Sequence, residues 1–346
     1  MQKLMKNKDI AKQLGISPAT FSLVINNKPG VSPETRETVI NYIKKKGLSH
    51  LNKNIFPPNN NHNICFIVYK RHGEILDQAP FFLLLMESIE NSSRQLGYGN
   101  TFFTLDKRNS LPEQINHLNS MNAEGAVIFA TEMEKDDIPG LSSLKLPYVL
   151  LDNDFKTTAI DSVAIDNNLG TYQAIEHLFK KGHKKIGYLQ SKVLINSFRE
   201  RQSGYTEALK SFGLILEPRF HFHVDFSEEG SYHDFKEILN SNIDLPTAFV
   251  TDDDTIAAGT IKALCEKGLK VPGDISIIGF DDRPLCEKTS PRLSTIRVPR
   301  LSFGGHAINL IVKRIQNDPY LINKNYAIKM RIGTYLVERE SVKSLN

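Results

Sequence analysis

From residue 63 onward the chain alternates short apolar runs with stretches of helical periodicity, and this alternation restricts the fold more than any other feature. Apolar runs at 64–69, 101–105, 125–130, 148–151, 162–165, 185–189, 221–224, 248–251 and 276–280 have the length of buried strands. Helical patterns at 82–96, 114–121, 200–212, 231–241, 255–267 and 302–317 fall between or after them. Strand-helix units repeated in this way imply parallel sheets covered on both faces by crossover helices. About ten strands are too many for one comfortable sheet, so two lobes are expected.

The first 62 residues read differently. Residues 1–48 are short, basic and helical in pattern, whereas 49–62 are rich in Asn and Pro and read as a linker, since Pro57 and Pro58 block both helix and ladder. The domain reading is therefore a head at 1–48, a linker or degenerate hinge at 49–62 and a body at 63–346. Within the body the first lobe is expected at about 63–183 and 297–325, the second at about 184–296 and 326–346. A chain of 346 residues exceeds what one core supports, which agrees with several domains.

Charge separates the same blocks. The whole chain carries +4, but residues 1–60 hold nine Lys and one Arg against Asp9, Glu34 and Glu37, leaving +7 there and −3 elsewhere. A small basic head on a near-neutral body is the electrostatic pattern of nucleic-acid binding. Cys65, Cys265 and Cys286 form no CxxC and are odd in number, so neither a disulfide framework nor a zinc site is expected. The N-terminal residues lack an apolar signal-peptide core and no apolar run is long enough for a membrane helix, so a cytoplasmic protein without membrane contact is expected.

The head has a grammar of its own. Ile10, Ala11 and Leu14 share a helical face, Gly15 permits a sharp turn and Ile16 plugs the core. Ser17 is an N-cap, with Pro18 at the first helical position. Phe21, Val24 and Ile25 then form the buried face of a second helix. A third helix begins at the Ser32-Pro33 cap, buries Val39, Ile40 and Ile43, and ends on three lysines. This is helix-turn-helix order, with the second helix as the reading helix. Pro18, Ala19, Thr20, Ser22, Leu23 and Asn26 stay off its core face. Ser, Thr and Asn reach phosphates or base edges; Ala and Leu reach thymine methyls.

Asp9-Ile-Ala, Gly15-Ile-Ser, Ala19-Thr-Phe-Ser, Val24-Ile-Asn and Val31-Ser-Pro-Glu-Thr-Arg together resemble the head of the lactose/galactose-repressor family. The resemblance implies that Ser17, Thr20, Ser22, Asn26, Ser32 and Thr35 anchor the DNA backbone while Pro18, Ala19 and Leu23 read bases. Leu23 stands where members often carry Arg, which removes a bidentate guanine contact. The linker departs further. Members wedge an apolar side chain from a hinge helix into the minor groove; here Asn52-Lys-Asn-Ile-Phe-Pro-Pro lacks it at the expected place, with Ile55 and Phe56 the candidate substitutes.

The body resembles the same family at Asp166-Asn167, His177-Leu178, Gly182-His-Lys-Lys-Ile, Phe198-Arg-Glu-Arg-Gln-Ser-Gly-Tyr, Thr251 to Gly259, Gly268 to Asp282 and Pro291 to Ile296. What this implies is an all-α helix-turn-helix head on an α/β body of type I periplasmic-binding-protein-like fold, with two Rossmann-like lobes, three crossovers, a cleft ligand and a homodimer. Parallel sheets bind ligands at the carboxyl ends of their strands. Asp253 and Asp281 follow apolar strands there, and Arg201 opens a helix beside them. Carboxylates and a guanidinium suit a polyhydroxylated ligand, most simply a sugar, and Phe82 and Phe226 are the candidate stacking rings. Asp166 reads as a helix cap or hinge residue, and His177 and His183 as structural.

The expected protein is thus a sequence-specific DNA-binding regulator, a repressor by resemblance, needing no cofactor or metal. Ligand would close the cleft and change the spacing of two heads on a pseudo-palindromic operator. An activator, or a sensor of a phosphoprotein partner, are alternatives. A transport-type binding protein fails on the attached basic head. An enzyme is disfavoured, since GxSxG, Walker A, HExxH and GxGxxG are all absent.

Overall fold

In the computed structural model, which describes residues 7–25, 28, 30–45, 62–76, 81–241, 243–318 and 326–346, three helices form the head. They are α1 (Asn7–Gln13), α2 (Pro18–Ile25) and α3 (Pro33–Lys45). Ile10, Phe21, Val24, Val39 and Ile43 close a core of their own, with Leu14 and Ile16 packed against it. Gly15 makes the turn at φ +66, a left-handed conformation open to glycine without a Cβ penalty. The Ser17 hydroxyl accepts the Thr20 N–H at 2.9 Å and so starts α2. Ser32 starts α3 in the same way through Thr35, at 3.2 Å. Each such cap contributes about 1 kcal/mol to its helix.

The body is two six-stranded sheets with helices on their faces. The first lobe runs β1 (Asn63–Lys70), α4 (Phe81–Gln95), β2 (Gly99–Asp106), α5 (Leu111–Ser120), β3 (Gly125–Phe129), β4 (Tyr148–Leu151) and β5 (Ser162–Ile165). Then α6 (Asn167–Lys180) leads to β6 (Ile186–Ser191), α7 (Asn196–Ser211), β7 (His221–Val224), α8 (Glu228–Asn240), β8 (Ala248–Thr251), α9 (Asp254–Glu266), β9 (Ser276–Asp281) and β10 (Ser294–Arg297). The chain returns through α10 (Arg300–Ile315) and ends with β11 (Lys329–Ile332) and β12 (Tyr335–Val337). The strand orders are β11-β5-β4-β3-β1-β2 and β12-β10-β9-β8-β6-β7. Among the described residues every pairing is parallel except β10 with β12. The second order repeats the first, so each lobe is the same doubly wound unit closed by one late strand.

Every residue of the central strands β3, β6 and β9 is buried, as strands covered on both faces must be. One apolar cluster joins α4, α10 and β3 of the first lobe to Tyr188, Phe280 and Ile296 of the second, through Ile165 and Val298 at the crossovers. The chain passes between lobes after β5, after β10 and between β11 and β12.

These crossings correct the lobe boundaries read from sequence. α6 packs on α7, β10 and β12, so the first lobe's leading segment stops near 166 and not at 183. β11 pairs with β5, so the first lobe also holds 329–332, and the second lobe's closing segment begins after them and not at 326. Asp166 caps α6, accepting the Leu169 N–H at 2.9 Å, in keeping with its reading as a cap. Gly170 is required in that helix, because a Cβ there would lie 2.6 Å from the Phe280 ring. His183 is structural: its ring nitrogens meet the Thr247 hydroxyl and the Lys343 carbonyl.

Candidate ligand cleft and nucleic-acid interface

The carboxyl ends of the two sheets face each other, and a cavity lies between them. Its free volume is about 40 Å³, within a concavity of about 530 Å³ that includes the mouth. Thr131 and Asp152 follow β3 and β4 on the first lobe; Asp281 ends β9 and Arg283 follows it on the second; Ser197, Phe198 and Arg201 come from the first turns of α7. The rest of the wall is apolar, from Ile75, Leu76, Phe129, Ile195 and Phe226.

Arg201 organises the second lobe's side. It is buried, and its guanidinium lies 3.7 Å above the Phe280 ring centre. Nε donates to Asn167 Oδ1 at 3.0 Å, one Nη donates to the Asp252 carbonyl, and the other donates to Asp281 Oδ1 at 3.0 Å. The guanidinium's three nitrogens, spread over one plane, each reach a separate acceptor while the flat face stacks on Phe280; an ammonium has its three donors on a single nitrogen and no such face. Asp281 sits at φ +103, a strained conformation for a residue with a Cβ. Arg300 holds it there by donating to the Asp281 and Asp282 carbonyls. Burial raises the Asp281 carboxyl, but Arg201, Arg283 and Arg300 outweigh it and leave the group below the ordinary aspartate value.

Asp152 is the opposite case. It also has positive φ, +69, and the Thr131 hydroxyl donates to it at 2.6 Å. With burial as the largest influence, its carboxyl is pushed up to about 7. The cavity therefore offers one firmly ionised carboxylate and one that gains or loses a proton near neutrality.

Of the expected ligand residues, Arg201, Asp281 and Phe226 are brought together. Phe226 packs on Phe198 at 5.9 Å between ring centres and lies 5.6 Å from the Arg283 guanidinium. Asp253 is not among the lining side chains; it caps α9, accepting the Thr255 and Ile256 N–H groups at 2.9 and 3.0 Å. Its other oxygen makes a charge contact with Arg283 at 2.9 Å, so it steadies a wall residue without being one. Phe82 stands in the first turn of α4, but its side chain lies outside the described residues. Thr131, Asp152, Ser197, Phe198 and Arg283 were not foreseen. Asp152 carried a usable signal: like Asp281, it directly follows an apolar run.

On the head, α2 buries Phe21, Val24 and Ile25 and leaves Pro18, Ala19 and Ser22 exposed, with Thr20 and Leu23 partly so. The Ser17 hydroxyl is within 2.8 Å of that of Thr20, and Ser32 donates to Thr35 at 3.0 Å. Ser17 and Ser32 thus build their helices as well as facing outward. Asn26 and the linker up to residue 61 lie outside the described residues. Among the described residues no three His, Cys, Asp or Glu side chains could hold a metal ion, and no helix is long and apolar enough to cross a membrane.

Residues 7–47 match the profile of bacterial regulatory proteins of the lacI family, and 175–342 match that of the periplasmic binding protein-like domain. The HTH-type transcriptional repressor PurR of Haemophilus influenzae (strain PittEE) is 32% identical over 347 residues, covering 98% of each chain. The crystal structure of the lac repressor dimer bound to operator and the anti-inducer ONPF superposes with TM-score 0.70 at 22% identity, covering 99% of this chain and 100% of that one. A LacI family regulator from Enterococcus faecium with bound ribose gives TM-score 0.67 at 25% identity over 82% of this chain and 100% of that one. The chain is accordingly a DNA-binding transcription regulator controlled by a small-molecule effector, and not an enzyme. With its head profile, its two-lobed body and a relative this similar over nearly the whole chain, the protein belongs to the lacI family of bacterial regulatory proteins.

Proposed function

We propose that the protein is a homodimeric cytoplasmic repressor whose operator affinity is set by a small uncharged polyhydroxylated molecule, a sugar or sugar derivative, bound between the lobes. The observation that carries this reading is the setting of Asp281. Its carboxylate is held by Arg201 on one side and approached by Arg283 at 3.6 Å on the other, beside Phe226 and Phe198. An ionised carboxylate with a neighbouring guanidinium accepts from one hydroxyl and donates to the next. The aromatic and aliphatic wall meets the apolar face of a ring. Charge argues against an anionic ligand: Arg201 and Arg283 are matched by Asp281 and Asp253, so a phosphate or carboxylate would find no surplus cation. The ribose carried by the Enterococcus faecium family member is a molecule of this class.

On the head, Pro18, Ala19 and Leu23 would read bases from the major groove, while Ser17, Thr20, Ser22, Ser32 and Thr35, with Asn26, anchor phosphates. Ligand contacts come from both lobes, so binding changes their angle and with it the separation of the two heads.

A thermal-shift panel on the full chain tests the ligand class, using pentoses, hexoses, disaccharides, sugar phosphates, nucleosides and amino acids. Ligand at one hundred times its Kd stabilises by about 2.7 kcal/mol, which raises the melting midpoint visibly. A neutral sugar is expected to shift the midpoint and its phosphate ester not to. A shift confined to sugar phosphates or amino acids would overturn the uncharged-sugar reading.

A further inference from the structure

Glu132 follows β3, is buried, and is not on the cavity wall. Its carboxylate instead gathers the main chain of the loop after β1. Oε2 accepts the N–H groups of Arg71, His72 and Gly73 at 3.0, 3.2 and 2.8 Å. Oε1 accepts those of Ile75 and Leu76, both at 3.0 Å. Convergent backbone N–H groups of this kind bind free anions elsewhere; here the anion is a side chain of the same lobe. Gly73, at φ +84, supplies the left-handed residue around which the loop curls.

The loop's last two residues are ligand wall. Ile75 and Leu76 line the cavity, and Ile75 packs with Ile195, Phe198 and Phe226 of the second lobe. Five donors of a partly buried loop would be costly to leave unpaired, so the carboxylate decides where that loop can lie. We infer that Glu132 is a positioning residue of the effector site, fixing residues 71–76 and through Ile75 and Leu76 the apolar wall that the effector meets. This deepens the reading of the cleft as an effector site and rests on it.

Glutamine is the informative substitution. It keeps the size of the side chain but has one acceptor oxygen where the loop needs two, and its NH2 faces N–H donors. In hydrogen–deuterium exchange on the full chain, the amides of 71–76 are expected to be slow in the unaltered protein. In Glu132→Gln they should exchange about tenfold faster or more, while β9 is unchanged. Fast exchange in the unaltered chain, or equal protection in the variant, overturns the proposal.

Titration with D-ribose then separates positioning from general structure. Glu132→Gln and Ile75→Ala should each weaken ribose binding about tenfold, and the double variant should be within about twofold of the weaker single one, because both act through one wall. Multiplying losses would show that Glu132 does not act through Ile75 and would overturn the proposal. If Glu132→Gln does not fold, Glu132→Asp replaces it in both measurements, since its shorter carboxylate cannot reach both sets of donors. An unaltered chain that binds no ribose rules out ribose as the effector, and the exchange result then decides the role of Glu132 alone.

Discussion

Replacing Arg201 by lysine is expected to abolish the effector response while leaving the affinity of the effector-free protein for DNA within about threefold. Lysine keeps the positive charge but cannot serve Asn167, the Asp252 carbonyl and Asp281 together, which the guanidinium does. The head has its own core and is untouched by the change. Alanine at the same position is expected to do more. It removes the closest of the cations around the buried Asp281 carboxylate, a kind of change that typically costs about 3–5 kcal/mol, and a loss of that size lowers the midpoint of unfolding by roughly 10 °C. The two variants separate function from folding. Operator binding by fluorescence anisotropy, with and without effector, reads the first; a melt reads the second. A lysine variant that responds like the unaltered protein would remove Arg201 from the ligand site.

The second large effect concerns pH. Asp152, Asp252 and Asp254 are each pushed up to about 7, with burial the largest cause in every case. An unfolded chain releases the same protons near 3.8. Between these values the folded state binds more protons than the unfolded one, so stability falls as pH rises from about 4 to about 7 and is level above that. A single group changes stability by about 1.4 kcal/mol per pH unit crossed within the window. Asp281 works in the other direction, since its depressed value favours folding above about 4 and its contribution is lost on further acidification.

Asp152→Asn isolates one member of the set. The amide oxygen can still accept from Thr131, and no charge forms at high pH. The variant should match the unaltered protein near pH 4 and exceed it by on the order of 4 kcal/mol at pH 8 in urea unfolding, about 1.4 kcal/mol for each pH unit between the unfolded and folded values. Equal or lower stability at pH 8 would mean that Asp152 carries its charge without penalty.

Much of the architecture is legible in the sequence because doubly wound lobes bury their strands on both faces. The runs 148–151, 162–165, 221–224 and 248–251 coincide with β4, β5, β7 and β8. Strand β11 escapes the pattern for a physical reason: in Lys329-Met-Arg-Ile the two basic side chains turn to Asp154 and, from Arg331, to Glu200, so the strand is only half apolar. The helix α6 escapes because it opens with Asn167, Asn168, Gly170 and Thr171, which favour loops and caps; packing on α7 and β10 overrides that preference. Both elements sit at crossovers, which is why the lobe boundaries moved with them.

The site divides similarly. Arg201 and Asp281 were visible because they open a helix or follow a strand within a family motif, and Phe226 because it follows the apolar run 221–224. Asp253 shows what sequence leaves open: it places the residue between β8 and α9 but does not say which neighbour its carboxylate serves. Its extended backbone aims the carboxylate at the N-terminus of α9. The Glu132 cage was beyond reach from sequence, since it depends on a loop some sixty positions earlier.

The most direct test of the whole account is the coupling between the cleft and the head. Operator DNA is selected from a random pool with the full chain, and its affinity is measured at one fixed salt concentration, because phosphate contacts make affinity salt-dependent. The sugar that raises the melting midpoint is then added. The account predicts a two-half-site DNA, an affinity shifted by roughly 5- to 150-fold, and the same factor in the sugar's affinity when operator is present. Failure to select any DNA, or a sugar that binds the cleft and leaves operator affinity unchanged, would contradict it.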